Sequence, residues 1–225
     1  IKVDGVDAEA VAARHARHTA AHDKRTAELR AAEATAAKGD RIEPVHLAAM
    51  LSAAAPDGTV FVDELITHRR YSLHHLQNRG PQSYFRAHGG LGNGMGTALG
   101  VKLAAPERMV VTVLGDGTFM YNPVMQALAL ARHRELPTLT VVFNNHGYNA
   151  MKMDHQGYYP DGAAAATDNW LGHPITEIDY ADMAAPFGAW GRTVDTPAAL
   201  AEALPEAFAA VAAGRSAILN VLLDR

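Results

Sequence analysis

The sequence contains no cysteine, which removes disulfides as a stabilising device and thiolates as nucleophiles or metal ligands. It has no excess of basic charge either: 20 Lys and Arg stand against 24 Asp and Glu, for a formal net charge of -4. With the basic residues dispersed, the chain carries no electrostatic footprint for nucleic acid. No apolar run approaches the roughly 20 residues needed to cross a bilayer, and the Ala-rich start lacks the apolar core of a secretion signal. A soluble cytoplasmic protein is therefore expected. No repeat recurs at solenoid periods, and the Ala163 to Ala166 run is too short to count as low complexity. Gly90, Gly92, Gly94 and Gly96 alternate, but no Gly-x-Gly-x-x-Gly register passes through them, so a nicotinamide-type fingerprint is missing.

What is present lies between Gly115 and Asn145. The run Met109-Val110-Val111-Thr112-Val113-Leu114 leads directly into Gly115-Asp116-Gly117-Thr118, and Leu139-Thr140-Val141-Val142-Phe143 leads into Asn144-Asn145-His146-Gly147. Both runs are short, rich in β-branched residues and bounded by turn residues, as buried parallel strands are. A crossover helix over 123–134 completes a βαβ unit. Ligands of such sheets collect at the carboxyl ends of the strands, where both polar clusters fall. Asp116 and the Asn145 amide oxygen are hard donors suited to Mg²⁺ or Ca²⁺, and the Gly147 carbonyl can add a third; water and phosphate oxygens complete such a sphere. Gly115 and Gly117 let the backbone approach a phosphate, while Thr118 offers a hydroxyl and an N–H. Two ordinary Gly/Asn turns would account for either cluster alone, but poorly for both at adjacent strand ends.

Gly115-Asp116-Gly117, a helix, then Asn144-Asn145 resembles the cofactor motif of thiamine diphosphate enzymes, in their diphosphate-binding domain. Gly89-Gly90-Leu91-Gly92, Ala98-Leu99-Gly100-Val101-Lys102-Leu103-Ala104 and Pro106-Glu107-Arg108 are similar to the benzoylformate decarboxylase and acetolactate synthase branch. The likeness runs over residues 60–223. It implies a parallel central sheet with helices on both faces, and it implies roles. Asp116, the Asn145 side chain and the Gly147 carbonyl would bind Mg²⁺ between the two phosphates, with Gly115, Gly117 and Thr118 against the diphosphate. Leu91 would prop the cofactor into its bent shape, and the Gly89 carbonyl would accept from the aminopyrimidine. Glu64 and Thr67 fall on a further cofactor-contacting loop, and Tyr148 opens the segment that covers the thiazolium.

The same resemblance implies decarboxylation of a 2-oxo acid, ending in an aldehyde or in ligation to a second carbonyl. It also exposes a gap, since the family's catalytic glutamate stands on a separate pyrimidine-binding domain that nothing here supplies. That domain is expected in the same longer chain or in another subunit of a homo- or hetero-oligomer. Residues 1–40 read as the end of a preceding domain and an exposed helical linker, with Ile1-Lys2-Val3-Asp4 as a last strand; residues 41–225 form the α/β domain. The span from Asp116 to Asn145 is longer than in most relatives, and Tyr121-Asn122-Pro123 takes up the extra length. Two rival readings are a non-catalytic cofactor-binding or assembly subunit and a phosphate-binding domain for another Mg-nucleotide. The latter leaves residues 89–92 unexplained.

Elsewhere the residues suggest structure. A helix starting at Pro44 runs through Leu51, and a strand follows from Val60. His15, His18 and His22 share a solvated helical face, and His74 and His75 are expected at the surface. Residues 148–172, with His155, Tyr158, Tyr159 and Trp170, lack a sustained period and read as a long irregular binding loop, on which His155 is a candidate proton-transfer group. Beyond it come a helix over 180–187, a strand over 189–194, a helix over 197–213 and a closing strand over 217–223.

Overall fold

The computed structural model describes residues 5, 7–76, 80–87 and 90–224; the strand expected at residues 1–4 and the site residue Gly89 lie outside them. The first helix, α1 (Ala8–Ala36), is capped by the Asp7 side chain, which accepts the N–H groups of Glu9 and Ala10. Ala36 is its only buried residue, as an Ala, Arg, His and Glu sequence without an apolar stripe dictates. There follow α2 (Pro44–Ala54), β1 (Val60–Glu64), α3 (Arg69–His75), β2 (Tyr84–Arg86), α4 (Gly94–Ala104), β3 (Val110–Gly115), α5 (Asp116–Tyr121), α6 (Val124–Arg134), β4 (Leu139–Asn144), α7 (Asn149–Tyr158), α8 (Ala163–Thr167), β5 (Trp190–Val194), α9 (Pro197–Ala212) and β6 (Ala217–Leu222).

The strands form one six-stranded sheet in the order β2-β1-β3-β4-β6-β5, with every neighbouring pair parallel. Because side chains alternate along a strand, each central strand feeds two cores. Phe61, Val111, Val141, Phe143 and Leu219 pack with Leu47 and Leu51 of α2 and Leu200 and Leu204 of α9. Leu114, Val142 and Ile218 face the other way, onto Leu99 of α4 and Leu128 of α6. Phe61, Phe143, Leu139 and Ile218 are wholly excluded from solvent, and each such side chain contributes about 1.5–3 kcal/mol of transfer free energy. The result is an α/β sandwich with helices on both faces. Its register sets Gly115 beside Phe143, so Asp116 and the Asn144-Asn145 pair leave the sheet at one edge.

Three segments differ from expectation. The crossover helix begins at Val124, and the residues directly after Gly115 form the separate helix α5. The break falls at Asn122, whose ψ of 145 is extended; Pro123 disfavours helical geometry in the residue before it. Residues 148–172 contain α7 and α8 rather than an irregular loop. Neither helix buries a residue, and α8, with 5 residues, is too short to show a period. The helix expected over 180–187 is a pair of 3₁₀ turns, Tyr180–Met183 and Ala185–Phe187. Pro186 has no N–H to continue a helix, and Gly188 turns left-handed at φ 69.

Candidate cofactor site at the strand ends

Asp116 sits where β3 becomes α5, and its carboxylate is aimed by backbone donors from both sides. The Gly117 N–H donates to Oδ1 at 2.9 Å and the Gly147 N–H donates to Oδ2 at 2.9 Å. Burial pushes this carboxyl above its ordinary range, and the two backbone donors only partly offset that. Across from it, Asn145 Nδ2 lies 2.9 Å from His68 Nε2. The Asn145 Oδ1 is buried without a hydrogen-bond partner, an arrangement that is costly unless a ligand completes it.

These groups open onto a cavity of about 570 Å³, within the range of small-molecule sites. Gly115, Asp116, Gly117, Thr118, Asn145 and Gly147 form its polar part, and Leu65, Ile66, Leu91, Tyr121, Met151 and Leu171 its apolar walls. The backbone is tightly held: a Cβ on Gly117 would fall 2.5 Å from the Tyr148 ring, and one on Gly92, at φ +98, would fall 2.3 Å from the Tyr121 carbonyl oxygen. Only glycine fits either place.

Of the residues named from sequence, Thr67, Leu91, Gly115, Asp116, Gly117, Thr118, Asn145, Gly147 and Tyr148 meet around this cavity. Glu64 and His155 do not line it. The buried Glu64 carboxylate accepts the N–H groups of Gly92 and Asn93 on Oε1, both at 2.7 Å. Its Oε2 accepts from the Gly94 N–H at 2.8 Å and Asn122 Nδ2 at 2.9 Å. Asn122 Oδ1 in turn accepts from the Met95 N–H. Glu64 thus satisfies the start of α4 and fixes the turn that carries Leu91. His155 lines an adjoining cavity of about 220 Å³, where its ring stands edge-on to Trp170 at 5.7 Å.

His68 lines the main cavity and was not foreseen. Burial, helped by the nearby Arg70 charge, lowers its pKa to about 4, so the ring is neutral at pH 7. The loop that carries it hangs from Asp63, a fully buried carboxylate that accepts from the Leu65 N–H at 2.7 Å, Ser72 Oγ at 2.8 Å, Arg86 Nη1 at 3.0 Å and the Tyr84 hydroxyl. Of the two histidines placed at the surface, His75 is instead buried, its Nδ1 2.6 Å from Glu33 Oε1 of α1. The α3 helix that carries it packs against α2, and His74 meets Arg25 of α1. His15, His18 and His22 are exposed, and no group of three or more acidic, His or Cys side chains poised for a metal occurs among the described residues.

The donor set fits a hard divalent cation: one carboxylate with lone pairs beyond its two backbone donors, one unpartnered amide oxygen and an adjacent backbone turn. A parallel α/β sheet with such a cavity at its strand ends has the form of a cofactor-binding domain. Comparison narrows the class. Residues 67–221 match the family described as "Thiamine pyrophosphate enzyme, C-terminal TPP binding domain", and the chain belongs to that family.

Among curated relatives, a 2-hydroxyacyl-CoA lyase of Oryza sativa subsp. japonica is 33% identical over 140 residues, covering 60% of this chain and 22% of that protein. The acetolactate synthase large subunit of Parasynechococcus marenigrum is 32% identical over 139 residues, 61% of this chain and 21% of that protein. A solved structure, the thiamine diphosphate-dependent 4-hydroxybenzoylformate decarboxylase of Rhodococcus jostii RHA1, superposes with a TM-score of 0.70 at 29% identity, covering 83% of this chain and 33% of that one. The chain therefore spans between a fifth and a third of the length of these proteins. No helix among the described residues is long and apolar enough to cross a membrane.

Proposed function

We propose that this chain supplies the diphosphate- and Mg²⁺-binding half of the active site of a thiamine diphosphate-dependent decarboxylase or carboligase acting on a 2-oxo acid. The observation that carries the reading is the buried, unpartnered Oδ1 of Asn145, a residue that lines the same cavity as Asp116. When bound, the cofactor supplies stabilisation of a carbanion equivalent, and the protein supplies anchoring, orientation and a dry wall. Asp116, Asn145 and the Gly147 carbonyl hold the cation. Gly117 and Thr118 would meet the phosphates, and Leu91 with the apolar walls would orient the cofactor and exclude water. The missing proton-handling glutamate comes from a pyrimidine-binding domain, upstream in a longer chain or in a partner subunit, with residues 1–40 as the connection to it and 41–225 as the domain proper.

Calorimetric titration of thiamine diphosphate with Mg²⁺ into this chain, alone and with a pyrimidine-binding domain, tests the reading. Metal-dependent binding, with 2-oxo acid turnover only in the combined sample, is expected. Asp116→Ala should abolish the binding while circular dichroism stays unchanged; unaltered affinity would sink the assignment. Binding without turnover in the combined sample would favour an assembly subunit.

A further inference from the structure

Asn145 can serve a cation with its oxygen but not with its nitrogen, and a primary amide turned by 180° about its last bond occupies almost the same space. Something must choose between the two. The side chain touching the amide is His68, with Nε2 2.9 Å from Asn145 Nδ2. An amide nitrogen has only hydrogens to offer, so the ring nitrogen that faces it accepts. With Nδ2 engaged, Oδ1 is left buried and without a partner in a side chain that lines the cavity.

We propose that His68 is a positioning residue that locks the Asn145 amide with its oxygen toward the cation position. The inference rests on the proposed Mg²⁺ site. His68 is suited to the task because it is itself immobilised. Its ring packs 6.2 Å from Phe143 and 6.0 Å from Tyr71, centroid to centroid. Asp63 ties down its loop on either side, through the Leu65 N–H and the Ser72 hydroxyl. The backbone carbonyl of Asn145 accepts from Asn149 Nδ2 at 3.4 Å. An outer partner that orients a ligand in this way typically accounts for about 10–100-fold in metal affinity.

The test is Mn²⁺ binding to this chain in the presence of thiamine diphosphate, followed by electron paramagnetic resonance. His68→Leu should weaken Mn²⁺ about 10–100-fold, whereas His68→Gln, whose Oε1 can accept the same bond, should retain most of the affinity. In the Asn145→Asp background both side-chain oxygens are equivalent, no orientation needs choosing, and His68→Leu should change affinity less than about 3-fold. An equal loss in both backgrounds would overturn the lock in favour of a general structural role, and no loss in either would overturn it outright. The bond can also be read without metal. The ¹⁵N–¹H signals of the Asn145 side-chain amide, assigned through Asn145→Asp, should shift and lose exchange protection in His68→Leu; unchanged signals would overturn the lock. If wild type takes up no Mn²⁺ while those signals report an intact bond, the cation-site reading fails and the role with it, but the bond stands.

Discussion

Glu64 ends β1 and Asp116 directly follows the neighbouring strand β3, both nearly excluded from solvent, yet they are connected oppositely. Glu64 receives four N–H donors, three from the turn before α4 and one from Asn122. That uses about all the lone pairs a carboxylate has. Asp116 receives two, from Gly117 and Gly147, and it lines a cavity. A buried carboxylate with every lone pair engaged builds structure, while one left incompletely satisfied is held ready for a ligand. Burial raises the Asp116 carboxyl accordingly, a cost that a bound cation would remove.

The contrast breaks if the two acids respond alike to amide substitution. Asp116→Asn should lower Mg²⁺-dependent affinity for thiamine diphosphate at least about 100-fold, roughly 2.7 kcal/mol, while urea unfolding moves by less than about 1 kcal/mol. Glu64→Gln should do the reverse. It sets an amide N–H₂ against backbone donors and should cost about 2–3 kcal/mol of stability, with affinity following through the displaced Leu91 turn. If Glu64→Gln spares the fold and abolishes binding, Glu64 belongs to the cofactor and not to α4.

The next effect is smaller and depends on pH. Because the folded Asp116 carboxyl titrates above the unfolded one, the folded state holds its proton where the unfolded chain has lost it. Stability must then fall as pH rises from the unfolded value, near pH 4, through the raised folded value, and level off above it. Asp116→Asn should lack this component, so the urea midpoints of metal-free wild type and variant should diverge on going from acid to neutral pH; parallel curves would remove burial as the distinguishing feature. Thr118→Val, which deletes one hydroxyl from the polar part of the cavity, should weaken cofactor binding about 5–10-fold by calorimetry. His155→Gln should alter cofactor affinity least, under about 2-fold, since its ring lies in the adjoining cavity against Trp170. A large loss there would extend the cofactor site into that cavity.

The parallel strands, their two-sided burial and the polar clusters at their ends were legible because each is a local pattern: β-branched runs of strand length followed at once by Gly-Asp-Gly or Asn-Asn. The helices α7 and α8 were not, since α7 buries no residue against the core and α8 spans only 5 residues. His68 was not legible for a different reason. Its partner Asn145 is 77 residues away, and no spacing rule links a loop after β1 to the end of β4. Glu64 was placed on a cofactor-contacting loop by the family resemblance alone, but whether it faced the cavity or the start of α4 depended on where residues 92–94 and Asn122 come to rest.

The sequence by itself determined the chemistry available: which oxygens can hold a cation, which glycines let a phosphate approach, and which strands bring them to one edge. These follow from residue type and near-neighbour order. Only the tertiary structure decided how each polar group is occupied, because hydrogen-bond satisfaction is a property of contacts between distant segments. That accounting separates Glu64 from Asp116 and leaves one amide oxygen of Asn145 open, with His68 behind it.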